Sequence, residues 1–183
     1  MTSAGAGFKA AKVRAGDATR WRLNHPKFRW FMVVVWAGLI FYLSTSGFGV
    51  GFTEWLLIQI LSLLHTTVSP RTFEVLHYLM RKAAHMTEYA VFCLLVYAAF
   101  LDTDDFEWRP RLALRSVIIA GVYSLTDEYH QSFVPGRTAS LVDCGIDTVG
   151  AAISTLIVLA WDRHKAVISG KRLVASKDAN SAG

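Results

Sequence analysis

Charge is scarce in this chain. Only 18% of its 183 residues are Asp, Glu, Lys or Arg, where a soluble domain carries about 25%. Hydrophobic residues make up 53%, and the mean hydropathy is +0.34. A single membrane domain fits this balance better than a soluble one. Cysteine is scarcer still. Cys93 sits inside an apolar run and Cys144 at the edge of another, which leaves no disulfide framework and no cysteine zinc site. They read as packing residues. Catalytic signatures are missing too: no His-Glu-x-x-His, no Gly-x-Ser-x-Gly and no phosphate-cradling glycine loop. No small-x-small cleavage pattern closely follows the first apolar run, so that run is expected to be a retained anchor.

What is present is long and apolar. Four runs qualify as membrane spans: 28–46, 83–101, 112–125 and 144–161. The third is short and can be extended through the polar cluster that follows it. A fifth run, 52–65, is broken by Gln59 and Ser62. Its length suits an interfacial or re-entrant helix better than a span. The expected fold is therefore all-α: an integral membrane bundle of four spans plus one interfacial or re-entrant helix. Ser69-Pro70 reads as a helix start, with serine as the cap and proline in the first turn. No Gly or Pro interrupts 71–101. A continuous helix there would be about 48 Å long and would outrun a hydrocarbon core of about 30 Å.

Basic residues set the orientation. Residues 1–29 hold seven Lys or Arg and one acid, and residues 162–183 hold five and two. Four spans put both termini on one side, and the positive-inside rule puts that side in the cytoplasm. The loop 102–111, with Arg109 and Arg111, lies there as well. The loops 47–82 and 127–143 then face outward. Residues 1–27 read as a flexible basic head, 28–163 as the membrane domain and 164–183 as a flexible basic tail. The basic ends are topology signals and anionic-lipid contacts, not nucleic-acid sites.

Two polar sets fall on the outward side. Lys82, His85 and Tyr89 share one helix face, with Arg81, His85 and Glu88 as an adjacent stripe. Such groups are expected to face a bundle interior, not lipid. The second set is Asp127-Glu128-Tyr129-His130-Gln131, then Pro135-Gly136-Arg137, Ser140 and Asp143. Asp127 and Gln131 share a face if the helix continues; Glu128 points elsewhere. Pro135-Gly136 is a turn signal that would direct Arg137. Asp143, Asp147 and Gly150 follow helical spacing, and Gly150 would admit a close helix approach.

The same residues also have purely structural readings. His85 can be an interhelical hydrogen-bonding residue. Asp127, Glu128 and Arg137 can form a structural salt-bridge network. Asp143 can be a helix cap or dipole partner. A metal on His85, Glu88, Asp127 and His130 is chemically possible, but the spacing does not demand one. Neither metal nor cofactor is expected.

Lys82-x-x-His85-x-x-Glu88-Tyr89, then Asp127-Glu128-x-His130-Gln131-x-Phe133-x-Pro135-Gly136-Arg137-x-x-Ser140-x-x-Asp143 and Gly150, resembles the VanZ-like family. These are small multi-span bacterial membrane proteins named after a teicoplanin-resistance factor. The resemblance covers roughly residues 30–161. Asp147 departs from it, standing where the family pattern often has Asn. The resemblance implies cell-envelope work in the bacterial inner membrane, with a link to glycopeptide resistance. Three functions follow as expectations. One is recognition of an anionic lipid headgroup or cell-wall precursor by Lys82, Glu88, Tyr89, Gln131, Arg137, Ser140 and Asp143. Another is catalysis on such a lipid, with Glu128 or His85 as general base and Asp127 orienting it. The last is proton-coupled transport through His85, Glu88 and Asp127.

Overall fold

The computed structural model describes residues 25–45, 50–101, 107–134 and 139–181. Five helices account for nearly all of them: α1 (Pro26–Leu43), α2 (Val50–Leu63), α3 (Pro70–Phe100), α4 (Pro110–Gln131) and α5 (Leu141–Ser181). There is no strand among the described residues. Three helices start on proline, which forfeits only an N–H that has no intrahelical partner there. The Ser69 side chain caps α3, accepting from the Thr72 N–H at 3.2 Å. Helix α3 then runs unbroken for 31 residues, in keeping with its lack of internal Gly and Pro. Helix α5 continues past residue 164, and its backbone is helical through Ser181.

Three helices are long and apolar enough to cross a membrane: Pro26–Leu43, Pro70–Phe100 and Leu141–Gly170. Helix α2 is a shorter apolar helix. Helix α4 is 22 residues long but too polar to qualify by composition. Its polarity is on the inside. Ser116, Ser124, Asp127 and Gln131 are buried, while Leu114, Ile118, Val122 and Leu125 are exposed. The same inversion recurs in α1 and α5. Phe31, Val34 and Leu156 lie on the surface, and Asp147, Ser154 and Thr155 lie inside. In water this would be an aggregation hazard. In lipid it is the expected arrangement, because apolar chains solvate the outside and polar groups pair within.

Helix α3 is central, packed against each of the other four helices. Its contacts fix the directions. Arg29 at the start of α1 donates to the carbonyls of Ala98 and Leu101 at the end of α3, at 3.2 and 2.8 Å. Trp36 Nε1 donates to the Glu88 carbonyl at 3.0 Å. So α1 and α3 are antiparallel. Helix α4 runs with α1: Tyr123 donates to the Ala37 carbonyl at 2.7 Å, and Gln131 to Ser44 at 3.3 Å. Helix α5 runs with α3, Lys82 meeting Asp143 near one end and Tyr97 clustering with Val158 near the other.

Small residues permit the closest contact. A β-carbon on Gly150 would lie 3.1 Å from the Met86 carbonyl carbon. The glycine therefore lets α5 touch the α3 backbone, as its helical spacing from Asp143 and Asp147 predicts. Tyr89, Phe92, Cys93, Val96 and Ala151 fill the core beside it. At the other end, Arg29 covers carbonyls that α3 leaves without an intrahelical partner. Arg29→Met should lower stability by roughly 1–3 kcal/mol, since both charge-assisted bonds go. An unfolding titration in mixed micelles would check it; an unchanged midpoint would mean that water replaces the guanidinium fully.

Candidate functional site

The polar side chains gather at one end of the bundle, where α1 and α4 finish and α5 begins. Helical spacing alone explains part of this. Asp127 and Gln131 lie one turn apart, and Gln131 Nε2 donates to Asp127 Oδ2 at 2.9 Å. Gln131 also reaches Ser44 at the end of α1. Both Asp127 and Gln131 are buried, and Asp127 Oδ1 has no hydrogen-bond partner.

Glu128 does point elsewhere. Its Oε2 accepts the Ser140 backbone N–H at 2.7 Å, which ties the end of α4 to the start of α5. A cavity of about 330 Å³ adjoins this carboxylate, lined also by Leu125, Tyr129, Ser132 and Leu141. Ser140 contributes backbone more than side chain: its hydroxyl accepts from the Val142 N–H at 3.2 Å and its carbonyl from Asp143 and Cys144. It is the α5 cap. The sequence offers Asp143 for that role, but Asp143 lies inside the first turn. There its carboxylate is ion-paired with Lys82 of α3.

Helix α3 presents two faces, in line with the spacing of its polar residues. Lys82, His85 and Tyr89 look towards α5 and α4. Below the Lys82–Asp143 pair, His85 Nδ1 lies 3.9 Å from Asp147 Oδ1. Asp147 Oδ2 accepts from Ser124 of α4 at 2.8 Å. Asp147 is 1% exposed, and its Oδ1 has no hydrogen-bond partner. Tyr89 lies next, fully buried, with its hydroxyl also unsatisfied. The other face carries Arg81 and Glu88, which line a cavity of about 170 Å³ together with His85, Thr53 of α2 and Ser44. Glu88 is thus turned away from Glu128 and Asp143, towards α1 and α2.

The arrangement is a layered polar column. Lys82, Asp143, Glu128 and Ser140 form the outer layer; His85, Asp147, Ser124, Asp127 and Gln131 form the inner one. Arg137, with Pro135 and Gly136, lies outside the described residues. The His130 ring packs tilted against Phe41, ring centroids 4.2 Å apart. Among the described residues, no three His, Cys, Asp or Glu side chains gather into a group that could hold a metal. Ser44, Ser124 and Asp147 belong to the column although the sequence does not mark them as site residues. Ser124 has a signal, since it precedes Asp127 by three and Gln131 by seven on the same helix face. Ser44 has none, because only tertiary packing brings α1 to Gln131.

No curated protein and no solved structure matches this chain. The family model described as VanZ/LLP1 matches residues 28–162, which takes in most of α1, all of α2, α3 and α4, and α5 as far as Asp162. The Lys82–Asp143, Glu128–Ser140 and Asp147–Ser124 contacts all lie within the matched region, and the chain belongs to the VanZ/LLP1 family.

Proposed function

We propose that this envelope membrane protein crosses the bacterial inner membrane four times, through α1, α3, α4 and α5. Both termini are cytoplasmic, and the polar column opens to the outer leaflet. The alternating helix directions and the basic ends support that topology. In this reading α2 lies at the interface or re-enters. The column recognises an anionic lipid headgroup or a cell-wall precursor. The observation that carries this is the outer layer, where Lys82 is held beside Asp143 and next to the Glu128–Ser140 link. A phosphate or carboxylate competes with Asp143 for Lys82, and Arg137 supplies a second, bidentate contact. The carboxylates left behind accept from headgroup hydroxyls or amines. Teicoplanin tolerance belongs to the same proposal, through sequestration or remodelling of an envelope intermediate.

The test is lipid analysis of detergent-purified protein, with wild type and Lys82→Ala compared at matched folded yield. The variant should lose roughly tenfold in retained anionic lipid, the equivalent of one charge-assisted hydrogen bond. Equal retention would remove the reading.

A second reading has its own observation. Glu128 is a buried carboxylate beside a cavity of about 330 Å³, and the Ser140 N–H fixes the direction of one of its oxygens. A carboxylate so held, next to space for a substrate, suits a general base. Glu128→Gln would then abolish turnover of a lipid-linked substrate and spare its binding.

A further inference from the structure

We infer a second lipid site on the opposite side of α3, where a glycerophospholipid lays one acyl chain along α1 and α3 and sets its phosphate on Arg81. It goes beyond the column described above, uses Arg81 in place of Lys82, meets the column only at the shared walls His85 and Ser44, and takes from that reading only the outer-leaflet orientation.

Two cavities carry the inference. An apolar groove of about 520 Å³ runs between α1 and α3, walled by Trp36, Leu39, Ile40, Ala83, Thr87 and Val91. Its size falls within the range of about 300–1,000 Å³ usual for ligand sites. The cavity of about 170 Å³ that holds Arg81 and His85 shares four wall residues with it: Leu43, Met80, Ala84 and Glu88. The two therefore form one path, apolar for most of its length and polar at one end. Helix α2 closes the polar end with Phe52, Thr53 and Leu56, and is pinned there by the 2.7 Å Thr53–His77 contact.

The depth of each part fits a phospholipid. Arg81 precedes Lys82 on α3, so it sits level with the Lys82–Asp143 pair and the start of α5. That level gathers Lys82, Asp143, Glu128 and Ser140, which marks the headgroup zone. The groove continues from Ala84 to Val91, alongside the part of α3 whose inner face is Tyr89, Phe92 and Cys93. That is hydrocarbon depth. A membrane phospholipid presents this same order, a phosphate above an acyl chain, and a guanidinium fork matches a phosphate geometrically. Free inorganic phosphate would use Arg81 but leave the groove empty.

The experiment uses the full chain in nanodiscs of phosphatidylethanolamine and phosphatidylglycerol. The probe is phosphatidylglycerol carrying a photoreactive diazirine in one acyl chain, and labelled peptides are mapped by mass spectrometry. Labelling should concentrate on 36–43 and 80–91. Ala84→Trp, which fills the shared wall, should reduce it to the level seen on the exposed face of α4 at Leu114 and Ile118. Arg81→Gln should weaken it about tenfold, the loss of one charge-assisted contact, while Arg81→Lys recovers part. Lys82→Ala separates the two sites: it should strip lipid from the column and leave groove labelling in place. Even labelling of all lipid-facing helices would overturn the inference, as would groove labelling indifferent to both Ala84→Trp and Arg81→Gln. Groove labelling lost in Lys82→Ala but kept in Arg81→Gln would also overturn it, and would place the bound lipid at the column. Thermal melting of each variant confirms that the fold is intact; if Ala84→Trp fails to fold, the Arg81 pair decides.

Discussion

Gly150→Leu should abolish most of the folded protein, and Gly150→Ala alone should cost roughly 1–3 kcal/mol, the usual range for overpacking. The cause is backbone, not side chain. A β-carbon at this position meets the Met86 Cγ at 2.9 Å and the Met86 carbonyl carbon at 3.1 Å, with the carbonyl oxygen nearer still. A flexible side chain could swing away, but the α3 backbone cannot. The two helices would have to separate by some tenths of an ångström. That shift reaches beyond the local contact, because His85–Asp147 and Lys82–Asp143 join the same pair of helices one and two turns above. Gly145 supplies the comparison. Nothing lies within 4 Å of a β-carbon there, so Gly145→Ala should be neutral or slightly stabilising through its helix propensity. Unfolding midpoints in mixed micelles would measure both. Equal midpoints for the two alanine variants would disprove the close-contact account.

Ser124→Ala should cost about 1–3 kcal/mol, although it removes a single oxygen. Asp147 is inside the bundle, and the Ser124 hydroxyl is its one hydrogen-bond donor among the described residues, at 2.8 Å. Its other oxygen has no hydrogen-bond partner, and the His85 ring lies 3.9 Å away. Loss of Ser124 leaves a buried carboxyl unsatisfied on both oxygens, the expensive half of the hydrogen-bond asymmetry. Two further variants make the argument specific. Asp147→Asn keeps an oxygen for Ser124 and adds a donor, so its stability should equal or exceed wild type. Asp147→Leu combined with Ser124→Ala removes both partners, and should be less destabilised than the sum of the two single changes by at least about 0.5 kcal/mol. Strict additivity in that cycle would mean that Ser124 and Asp147 are not energetically coupled.

Much of the candidate site is legible in the amino-acid order. Asp127 and Gln131 are four residues apart, and a helix brings such residues together whatever surrounds it. Lys82, His85 and Tyr89 share a face for the same reason. Their partners are not legible there. Lys82 and Asp143 are far apart in the chain, and Gln131 meets Ser44 across 87 positions. No local rule reports distances of that kind. The VanZ-like motif names most of the residues that gather in the column but not the way they divide. Glu88 belongs with Arg81 on the α1–α2 side, and Ser140 acts as a helix cap through its backbone and hydroxyl.

Helix α4 shows where the boundary falls. Hydropathy averages over a helix, and α4 averages as too polar to cross a membrane. Its side chains are sorted by direction, with leucine, isoleucine and valine outside and serine, aspartate and glutamine inside. The amino-acid order by itself determined that this chain is helical, rich in lipid-compatible runs, basic at both ends and polar in one concentrated stretch. Those are properties of composition and of the 3.6-residue turn. Only the tertiary structure decided which polar group faces which, that α5 touches α3 at Gly150, and that Asp147 sits beneath Lys82 with Ser124 as its donor. Each of those depends on the register between helices, and register is set by the packing of side chains far apart in the chain.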